Sequence, residues 1–283
     1  MPIVALFVAQ KSRPQIPALS AVTRASILRL LLSSCALAVG CFAQVGSAQQ
    51  DTITIDDSVR RGFNAVLSDP RVVSALAELK VREPEAVQEQ FRLTEIPAPP
   101  FKEDRRAAYF LEQLKARGLE DAYLDAEGNA IGVRKGSGNG PLLLIAAHLD
   151  TVFPEGVDTT VQLRDGRYYA PGIGDDTRGL AAMLSVIDIL NDSGIQTEAD
   201  IMFAGNVGEE GPGDLRGVRY LFTQGPWKDK IKRFITVDGG NLDLVTNSGL
   251  GSLRYRVTFK GPGGHSWGAF GNVSPAFAMG EAI

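Results

Sequence analysis

The chain has 283 residues, 44% hydrophobic and 22% charged, with 31 Gly and 15 Pro, which fits a globular protein of one large domain or two ordinary ones with many turns. Its formal charge of −4 carries no basic nucleic-acid footprint. Both cysteines, Cys35 and Cys41, fall within the first 48 residues, so past that segment a disulfide scaffold, a thiolate metal site and cysteine nucleophilic catalysis are excluded.

Residues 1–48 contain Lys11, Arg13, Arg24 and Arg29 and no acid, and without them 25 basic residues face 33 acidic ones, a net charge of −8. Arg24 and Arg29 precede the apolar run LLLSSCALAVGCFA, and VGSA puts small residues ahead of Gln49. This is the layout of an export signal, with a run too short to span a bilayer comfortably. The expectation is a periplasmic or secreted protein without a stable membrane span once the signal is removed. A second reading takes LAVGC as a poor lipoprotein box with Cys41 as the acylated residue.

Residues 49–57 read as a polar linker. From Ser58 to about Arg92 helical spacing is broken at Pro70 and Pro84, and TEIPAPPF is a proline-rich break. KEDRRAAYFLEQLKARG predicts an amphipathic helix with Ala108, Leu111 and Leu114 on its apolar face, stopped by Gly118. AYLDAEGNAIGVRKG predicts a hairpin, LLLIAA a buried strand, and TTVQLRDGRYYA a second hairpin with Asp165 and Gly166 at its tip. RGLAAMLSVIDILNDSG is a helix after the loop PGIGDDT; ADIMFAGNV is a strand, GDLRGVRYLF a short helix and RFITVDG another strand. The alternation predicts an α/β fold: a mixed, largely parallel sheet flanked by helices, over 58–248. From 249 to 283 an alternating strand, a Gly-rich turn with His265 and the first turns of a helix predict the start of a smaller α+β domain.

Four clusters of acids or histidine sit at strand ends or in the loops that follow: HLD (148–150), DD (175–176), EE (209–210) and VDGG (237–240). Singly, each has a bland reading, since adjacent carboxylates are usually solvated charge and His-X-Asp is a common structural pair. Together, on one α/β sheet, they fall on the rim beyond the strands' carboxyl ends. Carboxylates gathered there repel unless a cation is present, and a divalent metal turns the repulsion into binding. One histidine with several carboxylates suits zinc or a similar metal. A second carboxylate beside a ligand can take a proton from an activated water. Asp176, Arg178 and Asp214 read as loop charges or helix caps, and Trp267 as lid packing ahead of a substrate-facing aromatic.

AAHLDTV, GIGDDTRG, GNVGEEG, VDGG and GPGGHSWG, in this order and spacing, resemble the M20 family of di-zinc metallopeptidases, which includes carboxypeptidase G2-like, aminotripeptidase-like and aminoacylase-like enzymes. The resemblance spans roughly residues 90–283. It implies a zinc-exopeptidase catalytic domain, with His148 and Asp238 on one zinc, Asp175 bridging to a second, and Glu210 on that second. A cis peptide after Asp175 is implied as well. Asp150 would orient the His148 imidazole, Glu209 would be the general base, and His265 would steady the oxyanion from a smaller lid domain through which a full-length chain would form a homodimer.

One ligand is missing from that scheme. Both histidines are assigned, so the second zinc site lacks its final ligand, and the expectation is a C-terminally shortened member of the family. The expected activity is hydrolysis of small peptides by an exopeptidase. The alternatives are an N-acyl-amino-acid amidohydrolase of the same family and an inactive remnant that only binds metal. A phosphate-binding α/β protein would need Lys or Ser/Thr in a Gly-rich loop, where GIGDDTRG has acids.

Overall fold

The computed structural model describes residues 55–239 and 257–282. The chain divides into two units, Thr54–Leu244 and a second formed by Met1–Ile53 with Val245–Ile283. The export signal, most of the linker and residues 249–256 of the expected lid strand lie outside the described residues. Among the described residues no helix is long and apolar enough to cross a membrane.

Three helices open the first unit: α1 (Asp57–Ser68), α2 (Pro70–Val81) and α3 (Glu83–Thr94). Asp56 and Asp69 cap the first two by accepting from the amides of Ser58 and Arg71, and proline stands in the first turn of the second and third. The two prolines therefore begin helices. Helix α4 (Asp104–Ala116) buries Arg106, Ala107, Phe110, Leu111 and Leu114. Its apolar stripe thus runs through Ala107, not the expected Ala108, which is exposed. The spacing i, i+3, i+4, i+7 from Ala107 takes in Phe110, which the other phase leaves out.

A five-stranded mixed sheet follows, built from β1 (Glu120–Leu124), β2 (Ala130–Arg134), β3 (Leu142–His148), β6 (Ile201–Asn206) and β7 (Ile231–Thr236) in the order β1-β2-β6-β3-β7. The β1–β2 ribbon joins β6 antiparallel, while β6, β3 and β7 run parallel. The β1–β2 turn is held by the Asp125 carboxylate, which accepts from the amides of Glu127, Gly128 and Asn129. The second hairpin, β4 (Gln162–Arg164) with β5 (Arg167–Tyr169), has Asp165 at φ 49° and Gly166 at φ 74° at its tip, the twist a two-residue hairpin turn requires.

Alternation along the strands divides the core. Ala147, Ile201 and Phe203 face α4 and α5 (Thr177–Asp192), whereas Leu144, Ala146, Met202 and Ala204 face the opposite side with Leu221 of α6 (Arg216–Thr223). A side chain at Gly205 would meet the Phe110 ring at 2.8 Å, so glycine there lets α4 close onto the end of β6. In the second unit, residues 257–260 form no strand and α7 (Pro275–Ala282) buries none of its residues. Trp267 is 87% exposed, so the expected packing is not made among the described residues.

Candidate metal centre

The three parallel strands end together. His148, the last residue of β3, stands opposite Asn206, the last of β6, and the Leu149 amide donates to the Asn206 carbonyl at 2.7 Å. β6 then leads through Val207 and Gly208 to Glu209 and Glu210. β7 leads through Val237, whose amide donates to the Ala146 carbonyl at 2.8 Å, to Asp238.

Asp175 arrives on the loop before α5, and its peptide bond to Asp176 is cis, as the resemblance implied. Asp176 turns inward. Its carboxylate accepts from the Gly179 amide at 3.1 Å, capping α5, and from the His148 amide at 2.9 Å. It is thus a cap. Asp175 is left facing outward. The loop is tied to α3 by Gln90, which donates to the Ile173 carbonyl at 2.5 Å, and by the Thr94 and Thr177 hydroxyls, 2.7 Å apart.

Ligand atoms of His148, Asp175 and Glu210 lie within 4.8 Å of one another. The Asp238 Oδ1 is 4.0 Å from the His148 Nε2. The family scheme divides Glu210 and Asp238 between two metals; in this structure Glu210 shares one cluster with His148 and Asp175.

The tautomer of His148 follows from its neighbours. Nδ1 lies 3.0 Å from the main-chain oxygen of Asp150, which can only accept, so Nδ1 carries hydrogen. Nε2 then faces the Asp175 Oδ1 at 2.7 Å. Two acceptors that close require a proton or a cation between them. Burial disfavours a charged imidazole, but Asp176, Asp150 and Asp175 outweigh it and raise the His148 pKa. Burial first, then neighbouring carboxylates, raises Glu209 and Glu210, and burial pushes Asp176 up to about 8. The carboxylates of Asp150, Asp175 and Asp238 crowd the glutamate pair, opposed by the single imidazole of His148. One imidazole nitrogen with carboxylate oxygens and no thiolate fits a divalent metal.

Asp150 differs from its expected role of orienting the imidazole through its carboxylate. Its carboxylate, 0% exposed, lies 3.7 Å from the imidazole, which instead uses the Asp150 main-chain oxygen. The two carboxylate oxygens accept from the amides of Glu209 and Glu210 at 3.0 and 2.9 Å. Asp150 thereby fixes the glutamate pair relative to His148. Behind the pair, Gly208 has φ 62°, and a side chain there would fall 1.8 Å from the Arg216 guanidinium. Arg216 is paired with Glu103 at 2.9 Å and Glu127 at 3.0 Å and lies over the Phe101 ring. The buried Asn129 accepts from the Val207 amide and donates to the Gly217 carbonyl.

Of these supports, Glu103 had a sequence signal, since it falls on the stripe that continues through Ala107, Phe110 and Leu114. Asn129 had none. His265 belongs to the second unit and is exposed. Its Nδ1 accepts from the amides of Trp267 and Gly268 at 3.2 and 3.4 Å, which leaves Nε2 to carry hydrogen in the neutral ring.

Residues 144–269 match the model of peptidase family M20/M25/M40. A protein of Pyrococcus furiosus, named as a LysW-lysine/LysW-ornithine hydrolase, is 38% identical over 120 residues, 42% of this chain and 33% of the relative. Carboxypeptidase G2 of a Pseudomonas species is 29% identical over 163 residues, 54% of this chain and 39% of its own. The chain thus spans about a third of the length of the curated relatives it matches. Human carnosine dipeptidase 1 shares the fold, with a TM-score of 0.51 at 13% identity over 59% of this chain and 41% of that one. The matched segment contains the rim residues His148, Asp175, Glu209, Glu210 and Asp238, and through it the chain is similar to peptidase family M20/M25/M40.

Proposed function

We propose that the rim hydrolyses the amide bonds of small peptides, as an exopeptidase, with zinc as the metal. The observation that carries this reading is the position of Glu209, fixed by the Asp150 carboxylate beside the group formed by His148, Asp175 and Glu210. A divalent metal held by those three residues, with Asp238 alongside, would polarise the scissile carbonyl and acidify water. Glu209 takes a proton from the attacking water and delivers it to the leaving nitrogen, so that one water and one amide become a carboxylic acid and an amine. Its burial, which raises its pKa, suits a group that must accept and then donate.

Similarity to carboxypeptidase G2 supports the peptidase reading. Similarity to a hydrolase named for lysine and ornithine linked to another group favours a second reading of the same chemistry, an N-acyl-amino-acid amidohydrolase. The basic and apolar pattern of residues 1–48 supports export to the periplasm or medium; for a full-length chain, homodimerisation through the lid domain is proposed.

Glu209→Gln separates binding from chemistry. Zinc affinity is expected to stay within about twofold, while hydrolysis of dipeptide and N-acyl-amino-acid panels falls by about 10² to 10⁴. Hydrolysis that persists in the variant would remove Glu209 from the role of base.

A further inference from the structure

The largest fully buried side chain among the described residues is a cation, Arg106 of α4, at 0% exposure. Its guanidinium reaches three main-chain oxygens: Nε donates to Ile96 at 3.0 Å, Nη1 to Leu149 at 2.6 Å and Nη2 to Thr94 at 3.4 Å. Among the described residues its hydrogen-bond acceptors are all main-chain oxygens and no carboxylate lies within ion-pair distance, and burial pulls its pKa down to about 10 against the opposing charge of Asp150. Enclosing a guanidinium with no carboxylate in contact is costly, and an apolar side chain would fill the space without that penalty. Three acceptors in three directions do match the fixed fork of arginine.

The places of those oxygens point to a purpose. Leu149 lies between His148 and Asp150, and it is held from both sides, by Asn206 at its amide and by Arg106 at its carbonyl. Thr94 touches Thr177 through its hydroxyl, two residues beyond Asp175. Arg106 therefore sits where the 94–98 segment meets the turn after β3, one contact from the Asp175 loop.

We propose that Arg106 is a positioning residue of the metal centre: its grip on the Leu149 carbonyl sets the His148–Leu149–Asp150 turn, which aims the His148 Nε2 and the carboxylate that holds the Glu209 and Glu210 amides. The inference rests on the metal-site reading above, and it has a readout that needs no metal.

The test compares Arg106→Met, which keeps length and removes the fork, and Arg106→Lys, which keeps charge, with Leu114→Ala as a core control in the same helix. In the metal-free chain, amide exchange at Glu209 and Glu210 is expected to quicken at least about tenfold in Arg106→Met relative to amides within β6, and less in Arg106→Lys. Zinc affinity is expected to fall about 10- to 100-fold and the visible spectrum of the cobalt-loaded chain to change. Leu114→Ala lowers the melting temperature and leaves that relative exchange and the spectrum as they were. If Arg106→Met does not fold, Arg106→Lys carries the comparison. Wild-type exchange at both glutamates and wild-type affinity in the folded variants would overturn the proposal. Failure of the wild-type chain to bind zinc, with altered exchange in the variants, would sink the metal reading and leave the positioning role standing.

Discussion

Gly208→Ala probes how the glutamate pair is held. Gly208 has φ 62°, and its new methyl would fall 1.8 Å from the Arg216 Nη1 and 2.7 Å from its Cγ. The left-handed backbone costs alanine about 1 kcal/mol. The larger cost comes from Arg216, which must leave Glu103, a carboxylate with a side chain only 3% exposed. Stripping a buried charge of its partner costs about 3 kcal/mol, so the total is about 4 kcal/mol. For a unit of this size that is a fall in melting temperature of about 8 to 16 °C. A double-mutant cycle with Arg216→Ala isolates the clash. Arg216→Ala alone is expected to cost about 3 kcal/mol, and adding Gly208→Ala about 1 kcal/mol more, so the pair is about 3 kcal/mol less than additive. Urea denaturation of the four proteins measures this. A cost below about 1 kcal/mol for Gly208→Ala, or simple additivity, would refute the account of this loop.

Asp176→Ala removes the acceptor shared by the His148 and Gly179 amides; a loss of about 2 to 4 kcal/mol is expected in denaturant unfolding, with weaker zinc binding because the His148 backbone loses its anchor. Zinc at about 100 times its dissociation constant should stabilise the chain by about 2.7 kcal/mol, read as a rise in urea midpoint. The same zinc addition should leave His148→Ala unshifted, and a shift there would place the binding elsewhere.

Much of this was legible because strands and helices differ in period and the site residues close apolar runs. LLLIAA followed by HLD announces a buried strand that ends in a ligand, and the cap role of Asp176 follows from its place before a helix. What stayed hidden depends on contacts between distant segments. The main-chain oxygen of Asp150, and not its carboxylate, meets the imidazole because the register of β3 on β6 brings the Glu209 and Glu210 amides to the carboxylate first. No spacing along the chain encodes that. Ala107 and Ala108 are interchangeable in hydrophobicity, so the phase of α4 rests on Phe110, which only the stripe through Ala107 buries. The three carbonyls that justify burying Arg106 come from separate segments.

The central claim, a divalent metal held by His148, Asp175 and Glu210, is tested most directly by calorimetric titration of zinc into the metal-stripped chain, beside His148→Ala and Asp175→Ala variants shown to be folded. The expected result is about one tight equivalent per chain that both substitutions abolish; zinc binding that survives both, or none in the wild-type chain, would contradict it.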